Sequence, residues 1–415
     1  MQRSALGLGL GLTLVLFGAL AGTACNVKST EASTDAGPLG VSDAEGIDAA
    51  TGDAALTMGA LPFTPSNVDL SGIDVTKLGD FVVDNNECTI STDTHLASCG
   101  NGGDVLAFKI ATQADGTKVA VYAAKSMTIQ AGQNLTVAGA LPFVFIALET
   151  ITIAGTLNGN AGSGVAVAGG ASLETVRSKG AGPGGGGAGT ATAGGGGGSY
   201  CGTGGAGGAE SGNPSPVTAA YGTAAITPLV GGSSGGGGDV GSAGAGGGAI
   251  QLVAGGTLTI ESTGLIQVGG GGGGFGGISG QEANGGGSGG SILLESLAVT
   301  IGGTLATNGG GGGAGTSSDV GATPPLAPGG ADSTPNATAA AGGKAGIGPS
   351  SGGNGSAGAS LNGTAGAFTA GDAAGGGGGG AGRIRINTKT GAASLGSATI
   401  SPSISTACTT QGTVH

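Results

Sequence analysis

The sequence has very few residues of the kinds that usually build active sites. Trp is absent, only two His occur in 415 residues, and Lys and Arg together number 12. Nucleic acid and anionic membrane surfaces need clustered basic residues, so a net charge of −12 argues against both as partners. A Ser-His-Asp triad would have to use His95 or His415, and no GxSxG motif surrounds a candidate serine. Nucleophilic catalysis is therefore not predicted.

Metal and cofactor motifs are also missing. The five cysteines form no CxxC pair and have no spacing typical of zinc. Matches to GxGxxG are numerous, but a chain with 103 glycines produces them by chance. We predict no metal and no cofactor. Because glycine has no side chain to bury and loses the most entropy on folding, the core has to come from other segments.

Those segments are repeats. The stretch IALETITIAGTLNGN at 146–160 returns at 292–308 and more loosely at 249–268, with fainter copies at 119–130 and 383–400. Short β-branched runs that alternate with polar residues and end in Gly or Asn are typical of a strand solenoid. The sequence therefore predicts an all-β fold, a parallel β-helix, over 119–415.

Aligning the repeats predicts which side chains point inward. The alignment gives three strands per turn with the following inward columns: Val119, Ile146, Ile250, Ile292 and Ile384; Val121, Leu148, Leu252, Leu294 and Ile386; Met127, Ile151, Leu258 and Val299; Ile129, Ile153, Ile260 and Ile301; Leu157, Ile266 and Leu305.

A further column, Thr128, Thr152, Thr259 and Thr300, points outward. Threonine is common there because it favours strands. Ice-binding β-helices present two such ranks, and the alignment finds one.

Gly-rich inserts separate the repeats at about 161–248, 269–290 and 309–382. All three follow the third strand of a turn, so they should leave one side of the β-helix. Two outcomes are open. The inserts form flexible loops, or they pack as polyproline-II-like rods in an ordered layer, which only glycine leaves room for on every side.

The N-terminal part is different. Residues 1–24 have the basic start, apolar stretch and small residues of a signal peptide. AGTAC resembles a bacterial lipobox, which would make Cys25 the lipidated residue, although Gly22 stands where Leu is commoner and leaves ordinary cleavage possible. Residues 25–60 have the composition of a flexible tether. Residues 61–118 are predicted to form an N-terminal β cap that includes a hairpin at Asp115-Gly116.

The other four cysteines are predicted to form disulfides, since their number is even in an exported protein. Cys88 and Cys99 lie close together and flank a loop, so we expect them to pair. Cys201 lies in the first insert and Cys408 near the C-terminus, and their pairing stays open.

Parallel β-helices include enzymes that cleave polysaccharides, which need clustered carboxylates. Here Glu149 and Glu295 share an outward column with Val253 between them, which predicts a separation of ~9.6 Å. Solvated surface glutamates are the simpler interpretation. Arg383 and Arg385 are predicted to point outward together and to protect a strand edge from further pairing, with anion binding as the alternative.

Three segments carry a resemblance: CTISTDT at 88–94, KSMTIQAG at 125–132 and GALPFVFIALETITIAGTLNG at 139–159. In them the chain resembles the glycine-rich lipoproteins predicted in myxobacteria, over most of its mature length. The resemblance implies a β-helix-like fold and an outer-membrane or cell-surface location, with secretion as the alternative, and it implies no activity.

From these features we expect an exported, lipid-anchored structural or adhesive protein without catalytic activity. Its partners would be the membrane, through the lipid, and a cell-surface glycan or protein. The alternative is a β-helix that binds or cleaves polysaccharide.

Overall fold

The structure is a computed structural model. It describes residues 61–84, 88–94, 97–99, 106–173, 175–210, 212–275, 280–316, 328–344 and 350–415. The predicted signal peptide, the tether, the lipidation residue Cys25 and His95 lie outside these ranges.

The described chain is nearly all β, with one 3-10 helix at Val75–Lys77 and no α-helix. Among the described residues, no helix is long and apolar enough to cross a membrane. In chain order the strands are β1 (Asp80–Val83), β2 (Cys88–Ser91), β3 (Ala97–Ser98), β4 (Ala107–Thr112), β5 (Lys118–Ala124), β6 (Ser126–Ile129), β7 (Asn134–Ala138), β8 (Phe143–Ala147), β9 (Thr150–Ile153), β10 (Thr156–Asn158), β11 (Ala249–Ile260), β12 (Leu265–Gln267), β13 (Ser291–Ile301), β14 (Thr304–Ala306), β15 (Arg383–Thr388), β16 (Thr399–Ser401) and β17 (Thr409–Thr413).

The strands form two curled, mixed sheets. The first has ten strands, in the order β1-β6-β9-β11-β13-β15-β17, with β8, β5 and β4 joined through β11. The long strand β11 pairs with β8 over Ile250–Ala254 and with β9 over Thr257–Ile260, with a register shift between the two. Two glycines, Gly255 and Gly256, lie at that shift, where the sheet divides into two halves.

The second sheet has seven strands in the order β16-β14-β12-β10-β7-β2-β3. We call the two sheets together the strand stack. Its neighbouring strands are parallel, except for the antiparallel pairs β2–β3 and β4–β5. Both antiparallel pairs involve the predicted cap at 61–118, since β2–β3 lies within it and β4 pairs with β5 at its end.

The predicted cap is partly an extension of the stack. β1 pairs in parallel with β6, and β2 with β7, so these strands continue the two sheets. The predicted hairpin at Asp115-Gly116 is confirmed, because β4 and β5 pair antiparallel around it. Residues 61–78 then cross the outer side of the first sheet, where Phe63 and Val68 pack on its strands.

Inside the stack, most predicted columns are confirmed. Met127, Ile151, Leu258 and Val299 are consecutive partners, as are Ile129, Ile153, Ile260 and Ile301, and Leu157, Ile266 and Leu305. Every member has at most 3% of its surface exposed. The side chains fill the space between the sheets, and this burial is the main stabilising term of the stack.

The first predicted inward column is wrong in β5 and β8. Phe143, not Ile146, is the partner of Ile250, and Ala120, not Val119, is the partner of Phe143. Val119 and Ile146 therefore belong to the outer side of the sheet, where they are buried under residues 61–78. An odd shift along a strand reverses the direction of every side chain, so an alignment that matched Ile with Ile selected the wrong face.

Leu148 is likewise not a partner of Leu252, whose neighbour in β8 is Phe145. The inward ends of β5 and β8 are instead aromatic. Tyr122, Phe143 and Phe145 fill them, with ring centroids 5.5–6.3 Å apart.

Two disulfides connect the described segments, one over a short and one over a long stretch of chain. Cys88 pairs with Cys99, as predicted, and joins β2 to the residue after β3. Cys201 pairs with Cys408, which joins the first insert to the residue before β17 across 207 positions. The pairing that the sequence left open is therefore formed.

Candidate functional site

The Gly-rich inserts form an ordered body beside the strands. The strands resume at Ala249, Ser291 and Arg383, which are the positions where the predicted inserts end. We call the packed part of the inserts the glycine layer, and it comprises residues 180–208, 231–248, 268–274, 282–290, 307–316, 339–344, 350–355 and 361–382.

The run 375–382 shows how the layer is built. Its amides donate in turn to carbonyls of three neighbouring runs. The amides of residues 375, 378 and 381 donate to 361–367, those of 376, 379 and 382 donate to 307–313, and those of 377 and 380 donate to 195–198. These N···O distances are 2.8–2.9 Å. A hydrogen-bond direction that repeats every three residues requires a chain with three residues per turn, which is the geometry of polyproline II.

The directions in which side chains would leave the same run repeat with the same period of three residues. A methyl group built on successive glycines of 375–380 would meet carbonyl oxygens of 351–354, then 284–287, then 202–205. At Gly378 the overlap would be with the carbonyl oxygen of Asn354. The run thus has six neighbours, its glycines at 375–380 leave no room for a side chain on any side, and none of its residues is exposed. Of the two outcomes left open for the inserts, the structure contains the ordered one.

The layer brings a set of turns to one end. The run 231–238 leads away from the strands and 243–248 returns to β11, so the turn 239–242 lies at the end remote from the stack. Eight residues of polyproline II span roughly 25 Å. We call the turns at this end the far-end turns: 190–192, 209–210, 239–242, 280–282 and 368–374. Hydrogen bonds join them, for example from the Glu210 amide to the Thr192 carbonyl, 2.8 Å.

A charged cluster lies among the far-end turns. Glu282, 3% exposed, accepts a hydrogen bond from the Ala374 amide and donates its own amide to Asp239 Oδ2, 3.3 Å. Arg177 Nε contacts Asp239 Oδ1 at 2.5 Å. Burial raises the pKa of Glu282 to about 7, and the carboxylates of Asp239 and Glu210 act in the same direction. The sequence did not indicate this cluster, because its members lie in separate inserts.

A second buried carboxylate lies on the strand stack. Glu295, 1% exposed, accepts hydrogen bonds from the amide and hydroxyl of Ser66 at 3.1 and 2.5 Å. Gln251 Nε2 and Asn387 Nδ2 add two more, at 2.7 and 3.0 Å. Four donors satisfy a carboxylate, so the group is held in place. Its role is to fix residues 61–78 on the sheet.

The predicted carboxylate pair is therefore not formed. Val253 is indeed the partner of Glu295, but Ile146, not Glu149, is the next residue in that column. Glu149 lies in the turn before β9, exposed, with its Oε1 3.7 Å from Lys125 Nζ. The error has the same cause as the first inward column, since the alignment displaced β8 by three residues.

Arg383 and Arg385 do not protect an edge, because β15 pairs with both β13 and β17. Arg383 donates to the carbonyls of Tyr221 and Gly222 and lies 5.9 Å from the centre of the Tyr200 ring. Burial lowers the pKa of both guanidinium groups. Arg383 thereby fastens the first insert to the strands, near the Cys201–Cys408 disulfide.

A cleft of about 370 Å³ opens where the glycine layer meets β5 and β8. Leu141, Pro142, Pro183 and Leu229 give it an apolar lining, and Lys118 supplies one charge. Within the described ranges, no three His, Cys, Asp or Glu side chains are grouped to hold a metal ion. The sequence matches no protein family, no curated protein and no solved structure.

Proposed function

We propose that this chain is an exported, lipid-anchored, non-catalytic surface protein that presents the far-end turns to a cell-surface glycan or protein. The proposal includes a parallel β-helix as the scaffold. Three sets of consecutive parallel strand pairs with constant inward columns support that part.

The observation that carries the proposal is the glycine layer. Its runs share hydrogen bonds with neighbours on every side, and it has almost no side chains of its own for chemistry. A rigid support that holds several turns roughly 25 Å from the strands is suited to presentation. Two exposed apolar residues adjoin the turn 239–242. Val176, 48% exposed, precedes Arg177, which pairs with Asp239, and Phe275, 37% exposed, has its carbonyl oxygen beside Gly241. Exposed apolar residues that cluster at one place favour an interaction surface.

The absence of catalysis is supported by the two glutamates. Glu295 is enclosed by four donors beneath residues 61–78, and Glu149 is solvated beside Lys125. Acid and base roles in glycoside cleavage need two carboxyl groups that face one substrate. No observation favours the polysaccharide-cleaving alternative.

The anchor is tested by Cys25→Ser in the full chain. Two or three acyl chains bind a bilayer stably, so the wild type should sediment with membranes and the variant should be exported in soluble form. A wild type already found in the soluble exported fraction would refute the anchor and leave the surface function to be tested separately.

The presentation surface is tested with Val176→Ser and Phe275→Ser, measured by binding of the soluble Cys25→Ser protein to a glycan array and to intact cells. We expect both changes to weaken binding. Ile404→Ser is the matched control, because Ile404 is 40% exposed but lies near the C-terminal strands. Equal losses at all three positions would contradict the proposal, and release of sugar from any polysaccharide would contradict its non-catalytic part.

A further inference from the structure

The outer side of the first sheet carries a second rank of small residues, three of the four with a hydroxyl, which the sequence alignment did not find. Thr128, Thr152, Thr259 and Thr300 are consecutive partners, as predicted. Two residues earlier on the same strands, a parallel rank follows the same register. We call the two ranks together the threonine face, and its second rank is Ser126, Thr150, Thr257 and Ala298.

The spacing of this face is set by the backbone. Neighbouring strands are about 4.8 Å apart, and residues i and i+2 of one strand are about 6.7 Å apart. The register shift of β11 precedes Thr257, so the four strands that carry the ranks run without irregularity from β6 to β13. The result is a lattice of two ranks and four rows, with hydroxyl and methyl groups at regular intervals.

The hydroxyls of this face are free to bind water. None of the six threonine hydroxyls takes part in a hydrogen bond to another group among the described residues, whereas Ser126 Oγ donates to Asp80 Oδ1 at 2.7 Å. All eight side chains are half-buried or exposed. A threonine hydroxyl both donates and accepts, so it can hold a water molecule in a fixed position, and the methyl beside it restricts where that water can lie.

The face is also uncharged and rigid. No charged side chain belongs to either rank on these four strands. Asp80 on β1 borders the face beside Ser126, and Lys125 and Glu149 pair with each other at its border. Between the two ranks on each strand lies a fully or almost fully buried core residue, such as Ile151 or Leu258. Residues 61–78 cover the other half of the sheet and leave this half open. A preorganised surface spends little free energy on ordering itself when it binds.

We propose that the threonine face binds ice. Water molecules held at the two spacings of the face, between strands and along a strand, lie at distances close to those that recur in planes of an ice crystal. This ordered water can therefore join a growing crystal. A charged surface would instead orient water around its ions. The ligand is a lattice with a translational repeat, and the face offers a translational repeat of its own over four rows.

The experiment grows ice slowly in a solution of the purified full chain and measures how much protein enters the ice. The wild type should partition into the ice and restrict recrystallisation. Thr259→Tyr and Thr152→Tyr place a large ring on the threonine face, on two different strands, and should lose that partitioning. Thr399→Tyr is the matched control, since Thr399 is exposed on β16 of the second sheet, and it should behave as wild type.

A thermal melt of each variant shows that the fold is retained. Exclusion of the wild-type protein from ice would overturn the proposal, as would equal losses in Thr259→Tyr and Thr399→Tyr. Retention on crystalline cellulose without entry into ice would also overturn it and would identify an ordered polysaccharide surface as the ligand.

Discussion

The strand stack and the glycine layer both exclude water from folded backbone, but they do so by opposite means. In the stack, hydrogen bonds join each strand to neighbours in one plane, and apolar side chains such as Ile153 fill the space between the sheets. In the layer, a run such as 375–382 contacts six neighbours through backbone alone.

The difference decides what each region tolerates. Along strands such as β6 and β9, alternate positions face solvent, so these positions accept polar or charged residues. Within the layer, three residues per turn point to neighbours on all sides, so over 375–380 even a methyl group would meet backbone, and the side chains that fit at other interior positions are small, as at Ala381. The two regions should therefore respond differently to substitution.

The largest effect is expected in the stack, from Ile153→Asp. This residue is fully buried, and an unpaired charge there, added to the lost apolar burial, should lower the free energy of unfolding by roughly 6 kcal/mol or more. Thr152→Asp, at the adjacent outward position, should be nearly neutral. Chemical denaturation of both variants checks the difference, and equal effects would show that the assignment of inward and outward faces is wrong.

The connection between the two regions gives the next effect. Removing the Cys201–Cys408 disulfide, as Cys201→Ser with Cys408→Ser, should cost on the order of 5 kcal/mol, because it closes a long loop. The corresponding double change at Cys88 and Cys99 should cost about 3 kcal/mol, since only 11 positions separate them. Urea unfolding measures both losses. A smaller loss for the long loop would argue against unfolded-chain entropy as the main contribution.

Within the layer, Gly378→Ala should lower stability by about 2–3 kcal/mol, since the methyl group would displace backbone that has no flexible side chain to move. Gly162→Ala is the control, because its methyl would have nothing closer than Asp332 Oδ2 at 4.0 Å. Hydrogen exchange should find slow amides over 375–382 in the wild type and faster exchange in Gly378→Ala. Exchange at free-chain rates in the wild type would contradict an ordered layer.

The smallest effect concerns pH at the far-end turns. The folded-state pKa of Glu282 is about 7, above its ordinary value of 4.5. Between these values the unfolded chain has lost a proton that the folded chain keeps, so stability should fall as pH rises through this window and level off above it. Melting temperatures from about pH 5 to about pH 8 should decline less for Glu282→Gln, which stays neutral and can still accept the Ala374 amide. An identical decline in both proteins would remove Glu282 as its cause.

Some of the strand pairing followed directly from the sequence. Repeats such as ITI at 151–153 and LTI at 258–260 are short, β-branched and alternating, so their inward and outward sides could be assigned and were confirmed. The first strand of each turn could not be assigned in the same way. The strands that contain Val119 and Ile146 are apolar on both faces, because residues 61–78 cover their outer face. A run without alternation of apolar and polar residues does not reveal its register.

The sequence by itself determined the alternation of the strands, the corner at which the inserts leave and the pairing of Cys88 with Cys99, because each depends on residues that are close along the chain. The tertiary structure decided the rest. The pairing of Cys201 with Cys408, the cluster around Glu282 and the second rank of the threonine face all join residues from distant segments. In the glycine layer the reason is most direct: glycine carries no side chain to record its neighbours, so only the folded backbone determines which runs lie together.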